Sequence, residues 1–118
     1  MATLGDPLMD LGTSLGYWVE AGDPPELRAL GLGITALPGN PSRAELVERY
    51  VAASARDVEP LSWFEALALW KAAIFCEAIY GRYVRGELGA EDTRAARFEH
   101  GVPYLAEAAA EAIGAARA

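Results

Sequence analysis

The chain has 118 residues, enough for one domain with a real core or for part of a larger one. Hydrophobic residues make up 53% and mean hydropathy is +0.11, which excludes a highly charged disordered tail. Lys+Arg number 10 against 17 Asp+Glu, and the net charge of −7 repels phosphate backbones and anionic lipid, so neither nucleic acid nor membrane is expected as a partner.

Helical periods run through the chain. Gly5-Asp6-Pro7 opens the first helix: Asp6 can cap it, and Pro7 suits the first helical position, where its missing N–H would be unpaired in any case. Leu8, Leu11, Leu15, Trp18 and Val19 then share one stripe, with Gly22 as the stop. Gly12 and Gly16 lie one turn apart. Each costs about 1 kcal/mol of helix propensity relative to Ala, which predicts close approach by another helix or backbone.

Residues 23–41 read as a long loop, rich in Pro and Gly, with a short helical turn over Pro25–Leu30. A structureless loop of that length points to function or to a missing partner surface. Ser42-x-x-Glu45 is a capping box and starts the next helix, whose inner face is Val47, Tyr50, Val51 and Ser54. Arg56 to Glu59 is a polar break.

Ser62-x-x-Glu65 repeats the capping pattern for a helix running to about Arg85, with Gly86 as its stop. Trp63, Ala66, Leu67, Trp70, Ala73, Ile74 and Glu77 share one of its faces, and Leu69, Phe75, Cys76 and Ile79 spread over others. A helix apolar on most sides is expected at the centre of its domain. The last segment begins near Ala90 to Asp92 and carries the stripe Phe98, Val102, Leu105, Ala109, Ala112 and Ile113, with Gly101 and Pro103 expected to kink or split it. No strand, repeat or heptad run is visible. The expected fold class is all-α, with four or five helices.

Little catalytic chemistry is visible. One cysteine, Cys76, forms neither an internal disulfide nor a zinc cluster, and its apolar neighbours predict a structural buried thiol. The lone His100, beside Glu99, reads as a surface or capping residue. Gly31-Leu32-Gly33 has no preceding strand and no following Lys, so it reads as an ordinary turn. The acid pairs Asp57 with Glu59 and Glu91 with Asp92 read as solvated. Asp10, one turn after Asp6 in an apolar helix start, is expected to anchor on backbone N–H groups of a neighbouring loop. Trp70, Lys71, Glu77, Tyr80, Arg82 and Tyr83 either line a polar pocket or are core aromatics among exposed charges. Met1 to Asp10 lacks the basic and apolar regions of a signal peptide, and the apolar run Ala72 to Cys76 is too short to span a bilayer. A cytoplasmic location is expected.

The opening Ala2-Thr3-Leu4-Gly5-Asp6-Pro7-Leu8-Met9-Asp10-Leu11-Gly12, followed by Tyr17-Trp18, resembles a stretch of the phosphotransferase family that includes aminoglycoside phosphotransferases and choline kinases. The similarity is to the branch also found fused to acyl-CoA dehydrogenases. Leu37-Pro38-Gly39-Asn40-Pro41-Ser42, the Tyr50 segment, Trp63-Phe64-Glu65, Leu69-Trp70-Lys71 and Ile79-Tyr80-Gly81-Arg82-Tyr83 extend the resemblance over most of the chain.

The resemblance implies the helical C-terminal subdomain of a protein-kinase-like fold. In that family a His-Gly-Asp loop supplies the base and one magnesium ligand, and an Asp-Trp-Glu or similar motif holds magnesium. In this branch the latter motif is often followed by Met-Ala-Thr-Leu-Gly-Asp-Pro. The chain begins at that Met, so the nucleotide lobe and both catalytic motifs are expected to be missing from it. His100-Gly101 is no substitute, because Val102 stands where Asp is needed. ATP and magnesium are implied only for a full-length member; no catalytic residue, metal ligand or cofactor is expected in this chain alone. By position, Asp6 and Asp10 are expected to support the catalytic loop. Trp70, Glu77, Tyr80 and Tyr83 match a helix near the acceptor pocket. Expected partners are an upstream nucleotide-lobe segment or self-association through an exposed apolar face. The residues also leave open a free-standing helical binding module.

Overall fold

The computed structural model describes residues 4–30, 33–89 and 93–117. Gly31-Leu32 of the glycine turn, the pair Glu91-Asp92 and the expected helix start at Ala90 to Asp92 lie outside the described residues. Five α-helices follow in order: α1 Leu8–Tyr17, α2 Pro25–Leu30, α3 Arg43–Ser54, α4 Leu61–Val84 and α5 Phe98–Arg117. Short 3-10 turns at Gly33–Ala36 and Arg94–Arg97 lie between them, and no strand occurs among the described residues. The all-helical expectation holds. No described helix is long and apolar enough to cross a membrane.

Local chemistry accounts for most of the boundaries. Asp6 Oδ1 accepts from the Leu8 N–H at 2.9 Å, and Pro7 already has helical dihedrals, so Asp6 caps α1 as expected. Ser42 and Glu45 form the reciprocal capping box of α3. Gly86, at φ +73, ends α4: its N–H bonds the Tyr83 carbonyl and the Glu87 N–H reaches back to Arg82, the paired pattern of a left-handed helix stop.

Four boundaries differ from the expectation. α1 ends at Tyr17, and Trp18 is extended at ψ 115, so Trp18 and Val19 leave the helical stripe. Residues 23–41 hold α2 where the helical turn over Pro25–Leu30 was expected, and add a 3-10 turn at Gly33–Ala36 that was not. α4 begins at Leu61 with Pro60 before it, so Ser62 lies inside the helix and makes no cap. α5 runs unbroken through Pro103. That proline sits in the second turn, where it removes one hydrogen bond while the turns beyond it hold the helix together.

α4 is the spine, at about 36 Å for its 24 residues. α5 lies antiparallel beside it, with the N-terminal half of α4 facing the C-terminal half of α5 and Ile79 close to Phe98 at the other end. Ala72, Ala73 and Leu105 form the core between them, with Leu27 of α2, Leu69 and Cys76 packed on it. α1 crosses α4 elsewhere. A methyl group on Gly12 would lie 2.8 Å from backbone and Cβ atoms of Phe64, and one on Gly16 would lie 3.3 Å from Ala68 Cβ. The close approach expected from the two glycines is therefore made, and by α4.

Burial is selective. Among the described residues, half of the twelve buried apolar ones are alanines, while Trp63, Trp70, Ile74 and Phe75 stay between 47% and 64% exposed. α4 is central, as expected, but α1 and α5 reach only part of its circumference. α3 buries none of its residues, and its expected inner face has Val51 exposed. The consequence is an open shape. The radius of gyration is 15.6 Å, against about 13.5 Å for a compact chain of this length. The accessible surface is 7921 Å², against about 6,200 Å² for a folded monomer of this mass.

Candidate functional site

Two features stand out on this scaffold. The first is a polar hub where α1, the start of α2 and the start of α3 meet. The break after α1 turns Trp18 outward from the helix, and its Nε1 donates to the Pro41 carbonyl at 2.9 Å. Val19, fully buried, donates its N–H to Thr35 Oγ1 and accepts from the same hydroxyl, both at 2.9 Å. Arg43, at the start of α3, donates to the Trp18 carbonyl at 2.7 Å, to both oxygens of Asp23 and to Glu20 at 2.9 Å. The Arg43 hydrogen bonds hold the Asp23 carboxyl below its ordinary value, against the opposing effect of burial.

Beside the hub lies a cavity of about 200 Å³, lined by Leu15, Leu27 and Leu69 and by the polar groups of Arg43, Glu65 and Tyr104. Burial raises the Glu65 carboxyl above its ordinary value, with Arg43 acting the other way. The Tyr104 hydroxyl is raised too, by burial and then by Asp23, Glu111 and Glu26. Arg43 is already engaged by Asp23 and Glu20, so Glu65 gains attraction from it but no hydrogen bond. The chemistry here is that of a structural ion network with one desolvated carboxylate at its edge.

The second feature is an open groove of about 320 Å³ between α4 and α5. Trp63 and Trp70 wall one side, Ile113 the other, and Ala66, Ala106 and Ala109 form the floor. No charged side chain lines it. The small floor residues are the ones that let the helices come close, and closeness leaves the larger side chains standing proud.

The six residues singled out from the sequence do not converge. Asp6 caps α1. Asp10 is exposed, and among the described residues its carboxylate makes no hydrogen bond or ion pair, so the expected neighbouring loop is not over it. The sequence reading took its leucine neighbours for surroundings, whereas they turn inward around the helix while Asp10 faces out. Trp70 walls the groove. Glu77, exposed, adds to the electrostatic surroundings of Tyr80, whose hydroxyl is raised by desolvation first and then by Glu99, Tyr83 and Glu77. Tyr80 and Tyr83 face each other at 6.2 Å between ring centres. Trp70 and Tyr83 are about 20 Å apart along the helix axis, so the four residues form no single pocket.

Cys76 is half-buried and burial pushes its thiol up, in keeping with a structural role. His100 is exposed. Among the described residues no three His, Cys, Asp or Glu side chains gather as a metal site. The sequence reading missed Thr35, Asp23, Arg43, Glu65 and Tyr104. The partners of Thr35, Asp23, Arg43 and Glu65 lie up to 25 positions away and those of Tyr104 farther still, and only the charged residues at the borders of residues 23–41 hinted at a tie.

No protein-family model, no curated protein and no solved structure matches the chain.

Proposed function

We propose that the chain is the helical lobe of an ATP-dependent phosphotransferase acting on a hydroxyl acceptor, and that it contributes scaffold and binding surface while the catalytic groups come from another segment. The observation that carries this reading is spatial. Several of the stretches that resemble the family meet: Gly12 of the opening motif packs on Phe64 of Trp63-Phe64-Glu65, and Trp18 bonds Pro41 of the Leu37–Ser42 stretch. These two contacts join four of the segments that carry the resemblance, which a common structural role would explain. The lobe also exposes about 1,700 Å² more surface than a finished monomer of its mass. That is room for a second segment to cover.

The deciding experiment is to sequence the DNA upstream of the Met1 codon in the same frame. An open frame encoding a His-Gly-Asp loop and then Asp-Trp-Glu supports the lobe reading. An in-frame stop just before Met1, with neither motif, removes it. As a second check, the pure chain should show no saturable, magnesium-dependent ATP hydrolysis.

A free-standing helical binding module is the second reading, favoured by the apolar groove between α4 and α5. A stop codon upstream, together with a single cooperative melt of the isolated chain, would select it.

A further inference from the structure

We infer that the cavity beside the hub is a binding site for a small organic amine, whose ammonium group pairs with Glu65 while its carbon body lies against Leu15, Leu27 and Leu69. The inference rests on this cavity and not on the phosphotransferase reading.

Four helices converge on the site. α1 supplies Leu15, α2 supplies Leu27, α4 supplies Glu65 and Leu69, and α5 supplies Tyr104 and Ala112, with Arg43 reaching in from the start of α3. Two of the polar groups lack a partner. The Glu65 carboxylate and the Tyr104 hydroxyl, both half-buried, make no hydrogen bond among the described residues. Arg43 cannot serve Glu65, because its terminal nitrogens are spent on Trp18, Asp23 and Glu20. A carboxylate that has lost part of its water and gained no donor holds unspent bonding capacity. Burial pushes its carboxyl up for the same reason.

The rest of the lining selects the ligand. Asp23, Glu26 and Glu111 act on Tyr104 in one sense, and Arg43 alone acts against them. With Arg43 engaged by Asp23, the field in the cavity favours a cation and disfavours a carboxylate or phosphate. An ammonium carries three donors and no acceptor, which suits a carboxylate beside a hydroxyl oxygen. The three leucines favour a carbon body over a bare ion, and water in their place would leave apolar surface wet. A purely apolar ligand would leave Glu65 dehydrated and unpaired. Size sets the upper bound. The cavity of about 200 Å³ is smaller than the roughly 300 Å³ at which pockets for drug-sized molecules begin, so a nucleotide is too large.

The test is a titration of the full chain with benzylamine, followed residue by residue through the backbone amide signals in NMR. The expected result is a saturable shift at Leu27, Leu69 and Tyr104, with none at Trp63 or Ile113 in the other groove. Benzyl alcohol and benzoate keep the shape but not the positive charge, and each should bind about tenfold more weakly or worse, the scale of a charge-assisted hydrogen bond. Glu65→Gln should weaken benzylamine by the same factor. Ala112→Leu fills the cavity and leaves every charge in place, and it should abolish binding. Circular dichroism confirms that both variants keep their helix content. The absence of a saturable shift overturns the inference. So do shifts confined to the Trp63 groove or to exposed acids such as Asp10 and Glu77, binding that survives Glu65→Gln or Ala112→Leu, and benzyl alcohol binding as well as benzylamine.

Discussion

The Arg43 guanidinium grips Asp23 with both terminal nitrogens, at 2.7 Å and 2.6 Å, and so ties the start of α3 to the chain that enters α2. The pair is largely shielded, with the Arg43 side chain 31% and the Asp23 side chain 10% exposed. Its value lies in connection, because α3 buries nothing of its own. Removing Arg43 strands three acceptors at once: Trp18 O, Asp23 and Glu20.

Arg43→Ala should therefore cost about 2 kcal/mol, the scale of losing charge-assisted bonds in a partly buried setting. For a domain this small that is a fall in Tm of roughly 10 °C. Thermal unfolding followed by circular dichroism reads it, and an unchanged Tm would show that the hub is ornamental.

The same pair sets an acid response. Asp23 has a folded value below its ordinary 3.8, chiefly through the Arg43 hydrogen bonds. A carboxyl depressed by folding adds stability that is present above 3.8 and lost as pH falls through the lower folded value. Asp23→Asn should melt below the parent chain at neutral pH, and the gap should shrink as pH falls below 3.8. A gap that stays constant as acid is added would mean that the ionised form contributes nothing.

Glu65 has the opposite sign. Burial raises its folded value above the ordinary 4.5. Its contribution to stability is present below 4.5 and lost as pH rises through the folded value, so the ionised side chain weakens the fold at neutral pH. Glu65→Gln should raise Tm at pH about 7 and have no such effect near pH 4. A variant less stable at neutral pH would show that attraction to Arg43 outweighs the desolvation.

Gly12 and Gly16 should respond differently to alanine. At Gly12 the new methyl meets Phe64 backbone at 2.8 Å, so α1 must move away from α4. Overpacking of that kind costs about 1–3 kcal/mol, more than the helix propensity gained. At Gly16 the neighbour is the Ala68 methyl at 3.3 Å, a tight contact that can relax by a few tenths of an ångström. Gly16→Ala should change stability by less than about 1 kcal/mol, because the strain and the propensity gain offset each other. Urea unfolding of the two variants gives the order, and equal effects would overturn the unequal packing.

Legibility varied from residue to residue. The Asp6 cap, the Ser42–Glu45 box and the Gly86 stop were all readable, because each is a hydrogen-bond pattern closed within a few positions. Ser62-x-x-Glu65 has the same spelling as Ser42-x-x-Glu45 but makes no cap, since the chain is already helical from Leu61. The hub was illegible, because Arg43 finds Trp18 and Asp23 only once three segments have folded together. Asp10 misled for a related reason: its neighbours in sequence are apolar, but around a helix they point elsewhere.

By itself the sequence determined the helical class, the close approach at Gly12 and most helix ends, because period, caps and glycine act over one or two turns. Only the tertiary structure decided which apolar side chains are covered. The stripe on α4 reads the same for Ala66 and Ala73, which are buried, as for Trp63, Trp70 and Ile74, which are not. Periodicity says that residues share a face; how much of that face meets another helix depends on the length and placement of α1 and α5, and they leave the large side chains uncovered.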